Sequence, residues 1–225
     1  MASDKSAEQV REEHVRVLGQ ELGSVFHALY DEVTWLHVKW KQYKILYDSR
    51  ESVDLLNQTA GFFFYVIQRT MWEDLVLHVA RLTDPPRSMG KDNLTLLRLA
   101  DAITDPTLAQ DVRALVEIAK SQSSFARDWR NRRLAHHDLS LTLGGNVKPL
   151  PGISRDQMEH ALSAIRAVLN KVELHHWNSE VAFEIFVAHD DAETLSYYLK
   201  VAVSTEYQRQ ERLRQGHPLP DDLGR

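Results

Sequence analysis

Apolar residues recur at intervals of three to four positions over long stretches of this 225-residue chain, and that spacing constrains the fold most. One run extends from Ala7 to about Tyr47, and a second from about Ser49 or Ser52 to Leu82. The chain's 9 glycines and 7 prolines are bunched in a few places, so the breaks between helices are few. The pattern predicts an all-α bundle of four or more long helices.

Local sequence signals predict where the later helices begin and end. The two prolines in "TDPPRSMGKDN" stop the second helix, and Asp92 or Asn93 is expected to cap a short one. Thr104 or Asp105 is expected to cap the next, with Pro106 in its first turn. That helix is predicted to continue through "VRALVEIAKSQSSFARDWRNRRLAHH".

A loop insertion is predicted around residues 138–153, with a small hairpin possible around Gly144-Gly145. Ser154 and Asp156 open a helix to about Trp177, and Asp190 or Asp191 opens the last one. The sequence between these two helices fits either a short helix or a strand. We predict an N-terminal extension (1–24), a helical bundle (25–178), a C-terminal helical extension (179–215) and a frayed, flexible tail (216–225).

Large aromatic residues are expected to fill the core and not to stack on bases, because no basic residues surround them as RNA stacking needs. These residues are Trp35, Trp40, Trp72 and Phe62 to Phe64.

Composition excludes several classes of function. The net charge is -5 and cysteine is absent, which excludes broad electrostatic binding of nucleic acid, disulfides and thiolate chemistry. No dinucleotide, P-loop, serine-hydrolase or zincin motif occurs. The adjacent pair His175-His176 lacks the i, i+4 spacing of helical metal ligands and is typical of a helix end. We expect a cytoplasmic protein with no membrane segment, no metal and no cofactor.

Positive charge concentrates in one stretch, "RDWRNRRLAHHD", from Arg127 to Asp138. In one interpretation, Arg127, Arg130 and Arg133 cover the solvent face of a helix whose Trp129 and Leu134 point inward. In the other, the arginines and histidines form a site for RNA. Arginine can hold two phosphate oxygens at once, and histidine can move protons near neutral pH. Together they satisfy the minimal chemistry of metal-free RNA cleavage.

The same stretch resembles the signature of the HEPN superfamily: an arginine, a polar residue after it, and a histidine four to six residues after the arginine. Arg130, Asn131 and His136 match it, and His137 also lies within the allowed spacing. The upstream sequence "LLNQTAGFFFYVIQRTMWEDLVLHVARLTDP" followed by "DNLTLL" is similar to the AbiU-type, abortive-infection branch. The likeness covers roughly Val25 to Trp177.

The resemblance implies a HEPN-like bundle, usually a homodimer, in which two motifs line a shared cleft of a metal-independent endoribonuclease. Arg130 would hold the scissile phosphate, Asn131 would orient it, and His136 would transfer the proton. Helical geometry instead favours His137, seven residues after Arg130. The Tyr that one branch carries two residues after its histidine is Asp138 here, so regulation by modification of that Tyr is not expected.

The expected partners are RNA, contacted also by Arg127, Arg132 and Arg133, a second copy of the chain, and an antitoxin or other partner protein. The role is that of a toxin or antiphage effector. One alternative is a non-catalytic HEPN module that binds a nucleotide, RNA or a protein. Another is an all-α scaffold whose arginines form only salt bridges.

Overall fold

A computed structural model describes residues 6–88, 90–131, 152–185 and 190–223. Eight α-helices and one antiparallel pair of two-residue strands occur in these ranges, so the all-α prediction is confirmed. The helices are α1 (Ala7–Leu18), α2 (Gln20–Tyr47), α3 (Arg50–Leu82), α4 (Leu96–Ala102), α5 (Pro106–Gln122), α6 (Ser124–Trp129), α7 (Arg155–Trp177) and α8 (Ala192–Arg214), and the strands are β1 (Arg87–Ser88) and β2 (Lys91–Asp92).

Most helix starts follow from local chemistry. The side chains of Asp105, Ser154 and Asp191 each accept hydrogen bonds from backbone N–H groups in the first turn of α5, α7 and α8, as predicted. The short helix α4 is different, because Thr95 and not Asp92 or Asn93 caps it. Asn93 is used elsewhere: its side-chain amide donates to the Pro85 carbonyl and to Ser88 Oγ, both at 3.0 Å.

The first apolar run contains a break that its periodicity does not show. Gly19 has φ 83° and ψ 167°, a conformation that only glycine adopts without strain, and it separates α1 from α2. The chain then turns back sharply. A Cβ on Gly23 would lie 2.6 Å from the His14 carbonyl oxygen and from the Val15 Cα. Glycine at this position therefore lets the backbones of α1 and α2 touch.

Contacts divide the chain into two compact units. The first comprises Met1–Val38 and Glu73–Ile185. In its described part, α5 packs along α7 and α4 packs against α5. The helices bury fully shielded apolar residues between them: Leu99, Val112, Met158, Leu162, Ile165 and Leu169.

The N-terminal helix α1 belongs to the first unit and is held by aromatic contacts. The buried His14 ring lies 5.0–5.7 Å, centroid to centroid, from the rings of Phe26, His27, Tyr30 and Trp177. Glu173, near the end of α7, is also buried. Burial and the charge of Glu13 raise the pKa of Glu173 to about 6.

The second unit comprises Lys39–Trp72 and Phe186–Arg225. Its part of α3 is kinked at Ala60, whose φ of -146° and ψ of 61° are not helical. The Thr59 hydroxyl donates to the carbonyls of Leu55 and Leu56 at 3.2 and 3.0 Å beside this break. The Tyr47 hydroxyl donates to the Phe64 carbonyl at 3.1 Å, and burial raises the Tyr47 pKa to about 12.

A 3-10 turn at Pro220–Leu223 follows α8, within the segment predicted to be a flexible tail, and its Asp222 contacts α8. Arg212 donates to both carboxylate oxygens of Asp222, at 2.9 and 2.6 Å. The Leu219 backbone N–H adds a third hydrogen bond to that carboxylate, at 2.8 Å. These interactions lower the Asp222 pKa to about 2, and the hydrogen bond from Arg212 contributes most.

Two further expectations are corrected. The long helix predicted from Pro106 is interrupted at Ser123, so α5 and α6 are separate helices. The aromatic core prediction holds for Trp40 and Phe64 but is wrong for Trp35, Phe62 and Phe63, whose exposed fractions are 61%, 82% and 58%. The predicted insertion around 138–153 lies almost wholly outside the described residues, and 186–189 lies outside them too.

Candidate functional site

Arg127 lies on α6 and joins the ends of two other helices. Its Nη1 donates to Thr83 Oγ1 at 3.0 Å, just after the end of α3. Its Nη2 donates to the Lys120 carbonyl at 2.7 Å, in the last turn of α5. Carbonyls at a helix C-terminus have no partner within the helix, so a guanidinium is a favourable donor there.

Arg130 follows α6 directly, in a π-type turn that includes Asn131. One terminal nitrogen of its guanidinium forms an ion pair with Asp84 Oδ2. Its Nε donates to Asn131 Oδ1 at 3.1 Å. The side chains of Arg130 and Asp84 are 23% and 19% exposed, so water screens this pair less than a surface ion pair.

The second carboxylate oxygen of Asp84 does not take part in this ion pair. Oδ1 is buried and has no hydrogen-bond partner among the described residues. A buried acceptor without a donor costs about 1–3 kcal/mol, so this oxygen adds to the cost of holding the Asp84 carboxylate in place.

A cleft of about 300 Å³ opens beside Asp84. Glu32 forms part of its wall, and Glu32 Oε2 lies 2.8 Å from His78 Nε2 and 3.1 Å from Arg81 Nη2. The lining residues come from α2, the end of α3 and the segment around β2: Glu32, Arg81, Leu82, Asp84, Asp92, Asn93 and Leu94.

The structure brings together some of the predicted site residues. Arg127, Arg130 and Asn131 lie on consecutive turns, and the two arginines are bound by Thr83 and Asp84. The interpretation of Arg127 and Arg130 as a solvated face is therefore wrong. Arg132, Arg133, His136 and His137 lie outside the described residues, so their roles remain predictions.

Sequence reasoning missed Thr83 and Asp84, which it used only as the end of a helix. A usable signal was present, because an aspartate two residues after a helix lies near the negative end of the helix dipole and is unfavourable there. Its presence indicates a compensating cation elsewhere in the chain.

In the part of the chain that the structure describes, no group of three or more His, Asp or Glu side chains could hold a metal ion. None of the helices in these residues combines the length and the hydropathy that a membrane-spanning segment needs.

Fold and site together define the class: an all-α protein in which an arginine–asparagine pair stands at a helix end, immediately before a basic segment with two histidines. A family model described as HEPN_AbiU2 (AbiU2) matches residues 19–195, and the chain belongs to this family. The predicted HEPN superfamily and its AbiU-type branch are thereby confirmed. Neither the curated proteins nor the solved structures provide a match.

Proposed function

We propose that this HEPN_AbiU2 protein is a metal-independent endoribonuclease that acts as a toxin-like or antiphage effector. One observation carries the proposal: Arg130 already binds a carboxylate in a partly shielded position, with Asn131 on its Nε. A site that holds one oxyanion against a guanidinium can exchange it for another, and a phosphodiester has the charge and the paired oxygens required.

The proposed reaction needs no cofactor. Arg130 binds the non-bridging oxygens of the phosphate and stabilises the charge that develops on them. His136, or His137 in its place, accepts the proton of the ribose 2′-OH, whose oxygen then attacks phosphorus. The bond to the 5′ oxygen breaks, that oxygen takes a proton from water, and the protonated histidine returns its proton to the solvent. The products are a 2′,3′-cyclic phosphate and a 5′-hydroxyl.

The experiment is cleavage of single-stranded and structured RNA in the presence of EDTA, with the ends identified by mass spectrometry. Wild type should give 2′,3′-cyclic phosphate ends, and Arg130→Ala should lower kcat/KM at least 100-fold. Arg113→Ala is the matched control, because Arg113 is an exposed arginine on α5 whose only ion pair among the described residues is with Asp101. If His136→Ala and His137→Ala both cleave like wild type, the mechanism is wrong.

A non-catalytic binding module is the second candidate, in which Arg130 and Asn131 bind a phosphate without proton transfer by a histidine. The engagement of both described arginines by neighbouring residues is also what an all-α scaffold would show. In a binding module, Arg130→Ala weakens RNA binding and His136→Ala has no effect. Growth of a bacterial host provides a direct comparison. An effector nuclease should arrest growth when expressed, and His136→Ala should restore it.

We also propose that the active form is a homodimer, as is usual for the superfamily. Exposed aromatic side chains in the second unit support an interface with another chain: Phe62, Phe63, Tyr65, Tyr197, Tyr198 and Tyr207. Sedimentation velocity should show a dimer that the double substitution Phe62→Ser with Phe63→Ser shifts toward monomer. If the sedimentation coefficient is unchanged, Phe62 and Phe63 do not lie in the dimer interface. An antitoxin or other partner protein remains a further proposal.

A further inference from the structure

We propose that Asp84 is an internal competitor for the phosphate site: its carboxylate occupies Arg130 in the free protein and thereby lowers the affinity for RNA. This inference rests on the proposed ribonuclease function and deepens it by naming how that site is restrained. The two residues are 46 positions apart in the chain, yet their side chains form an ion pair.

The Asp84 carboxylate uses the donors that a phosphate needs. Arg130 Nη1 is bound to Asp84 Oδ2, and Arg130 Nε donates to Asn131 Oδ1 at 3.1 Å. Arginine binds carboxylates and phosphates through the same planar set of N–H groups, so the two anions compete for it. Asn131 is neutral and leaves the charge of Arg130 in place. Asp84 is therefore the group that neutralises the guanidinium.

The backbone on both sides of Asp84 is held in place, which keeps the competitor within reach of Arg130. Thr83 precedes it and accepts a hydrogen bond from Arg127 Nη1 at 3.0 Å. Pro85 follows it, and a proline ring restricts the backbone of the residue before it. The Pro85 carbonyl also accepts from the Asn93 side chain at 3.0 Å. A carboxylate tethered in this way competes at a high effective concentration.

The depth of the pair allows both restraint and access. The side chains of Arg130 and Asp84 are 23% and 19% exposed, so salt and water weaken their attraction less than that of a surface pair. The exposed remainder of the guanidinium is where a phosphate can approach. Asp84 therefore lowers the affinity of the site without closing it.

The first test measures binding in the absence of cleavage, by fluorescence anisotropy with an RNA that carries 2′-O-methyl groups throughout. Asp84→Asn keeps the shape of the side chain and removes its charge, so it should tighten binding roughly tenfold. Asp92→Asn is the matched control, because Asp92 lines the same cleft but lies 3.9 Å from Arg98. It makes the same change in net charge and should stay within about twofold of wild type.

A double-mutant cycle shows whether the effect passes through Arg130. In an Arg130→Gln background, Asp84→Asn should bring no gain, because the guanidinium for which the anions compete is absent. A gain that persists there, or that Asp92→Asn matches, is a general effect of charge and overturns the inference. Asp84→Ser is a second variant without the carboxylate and should also bind more tightly. Unchanged or weaker binding in both Asp84 variants overturns the inference as well.

Kinetics with cleavable RNA separate competition from positioning. A competitor leaves Arg130 before the reaction begins, so Asp84→Asn should lower KM and leave kcat within about twofold of wild type. If Asp84 instead positions Arg130 for the reaction, Asp84→Asn lowers kcat, and that result contradicts the proposal.

The two proposals fail in different ways. Tighter binding by Asp84→Asn that depends on Arg130, without cleavage by any variant, overturns the ribonuclease and leaves the competition. Cleavage by wild type, with no gain in affinity for Asp84→Asn, overturns the competition and leaves the ribonuclease.

Discussion

At the scale of single residues, Arg127 and Arg130 have different tasks although they are three positions apart. Arg127 bonds to Thr83 and to a backbone carbonyl, so its hydrogen bonds serve the packing of helix ends. Arg130 bonds to a carboxylate and to Asn131, groups that a phosphate can replace or extend. The stability of the fold should therefore depend on Arg127, and the binding of RNA should depend on Arg130.

Arg127→Met tests this division. The substitution keeps the aliphatic stem and removes two hydrogen bonds from a charged donor, so the free energy of unfolding should fall by about 1.5–3 kcal/mol. Urea denaturation followed by circular dichroism measures it. Arg113→Met, which removes an exposed ion pair, should cost less than about 1 kcal/mol. Equal losses for the two variants would show that the contacts of Arg127 add nothing.

Glu173 predicts a pH dependence of stability. Its pKa rises from 4.5 to about 6 on folding, so the folded state favours the protonated form. The stability is fully present below pH 4.5 and is lost as pH rises through about 6. Glu173→Gln keeps the shape without the charge. It should be more stable than wild type by about 2 kcal/mol at pH 7.5, and the difference should vanish near pH 4.

Urea midpoints between pH 4 and 8 provide the measurement for this prediction. Glu180→Gln is the control, because the side chain of Glu180 is exposed on the segment after α7. Its stability should follow the wild-type curve at every pH. A Glu173→Gln curve parallel to wild type would refute the assignment.

At the scale of elements, the junction of α1 and α2 is the most specific packing in the first unit. Alanine in place of a helical glycine ordinarily stabilises a protein by roughly 0.5–1 kcal/mol. At Gly23 the added Cβ meets backbone atoms at 2.6 Å, so we expect Gly23→Ala to lower stability by about 1–3 kcal/mol instead. Amides of α1 should lose protection in hydrogen exchange. Gly152→Ala, where the Cβ meets nothing within 4 Å, should be neutral, and similar effects at both sites would contradict this account.

Local sequence signals predict where most helices begin, but they do not predict the break at Gly19 or the kink at Ala60. The sequence predicts the caps Asp105, Ser154 and Asp191 because a cap bonds to backbone groups no more than three residues away. The Gly19 break escaped detection because apolar spacing continues across it. The kink at Ala60 changes the direction in which later residues of α3 point, so Phe62 and Phe63 leave the face that a continuous helix would bury.

The site shows the same limit. Arg130 and Asn131 were found because the motif is contiguous, whereas Asp84 is separated from Arg130 by 46 positions. No local periodicity connects residues that far apart. Their pairing depends on α3 and α6 ending at the same place, which is a property of the packed first unit.

At the scale of the whole molecule, a net charge of -5 keeps non-specific attraction to RNA weak, so a few arginines should dominate binding. For single-stranded RNA, each neutralised phosphate contributes about -0.7 to the slope of log K against log salt. Arg130→Ala should make this slope less steep by about 0.7, measured by fluorescence anisotropy between 50 and 300 mM NaCl. Arg113→Ala should leave the slope unchanged, and an unaltered slope in Arg130→Ala would exclude a phosphate contact.

The ion pair between Asp84 and Arg130 has a consequence for which molecules can occupy this place at all. A small anion such as sulfate, by drawing the guanidinium away, would strand a carboxylate inside the protein, and that penalty opposes its entry. A phosphodiester that binds Arg130 must likewise displace Asp84, and it binds only if its own contacts exceed that penalty. Under the proposed function, the affinity of RNA for Arg130 is therefore the difference between the phosphate contact that is gained and the Asp84 contact that is lost.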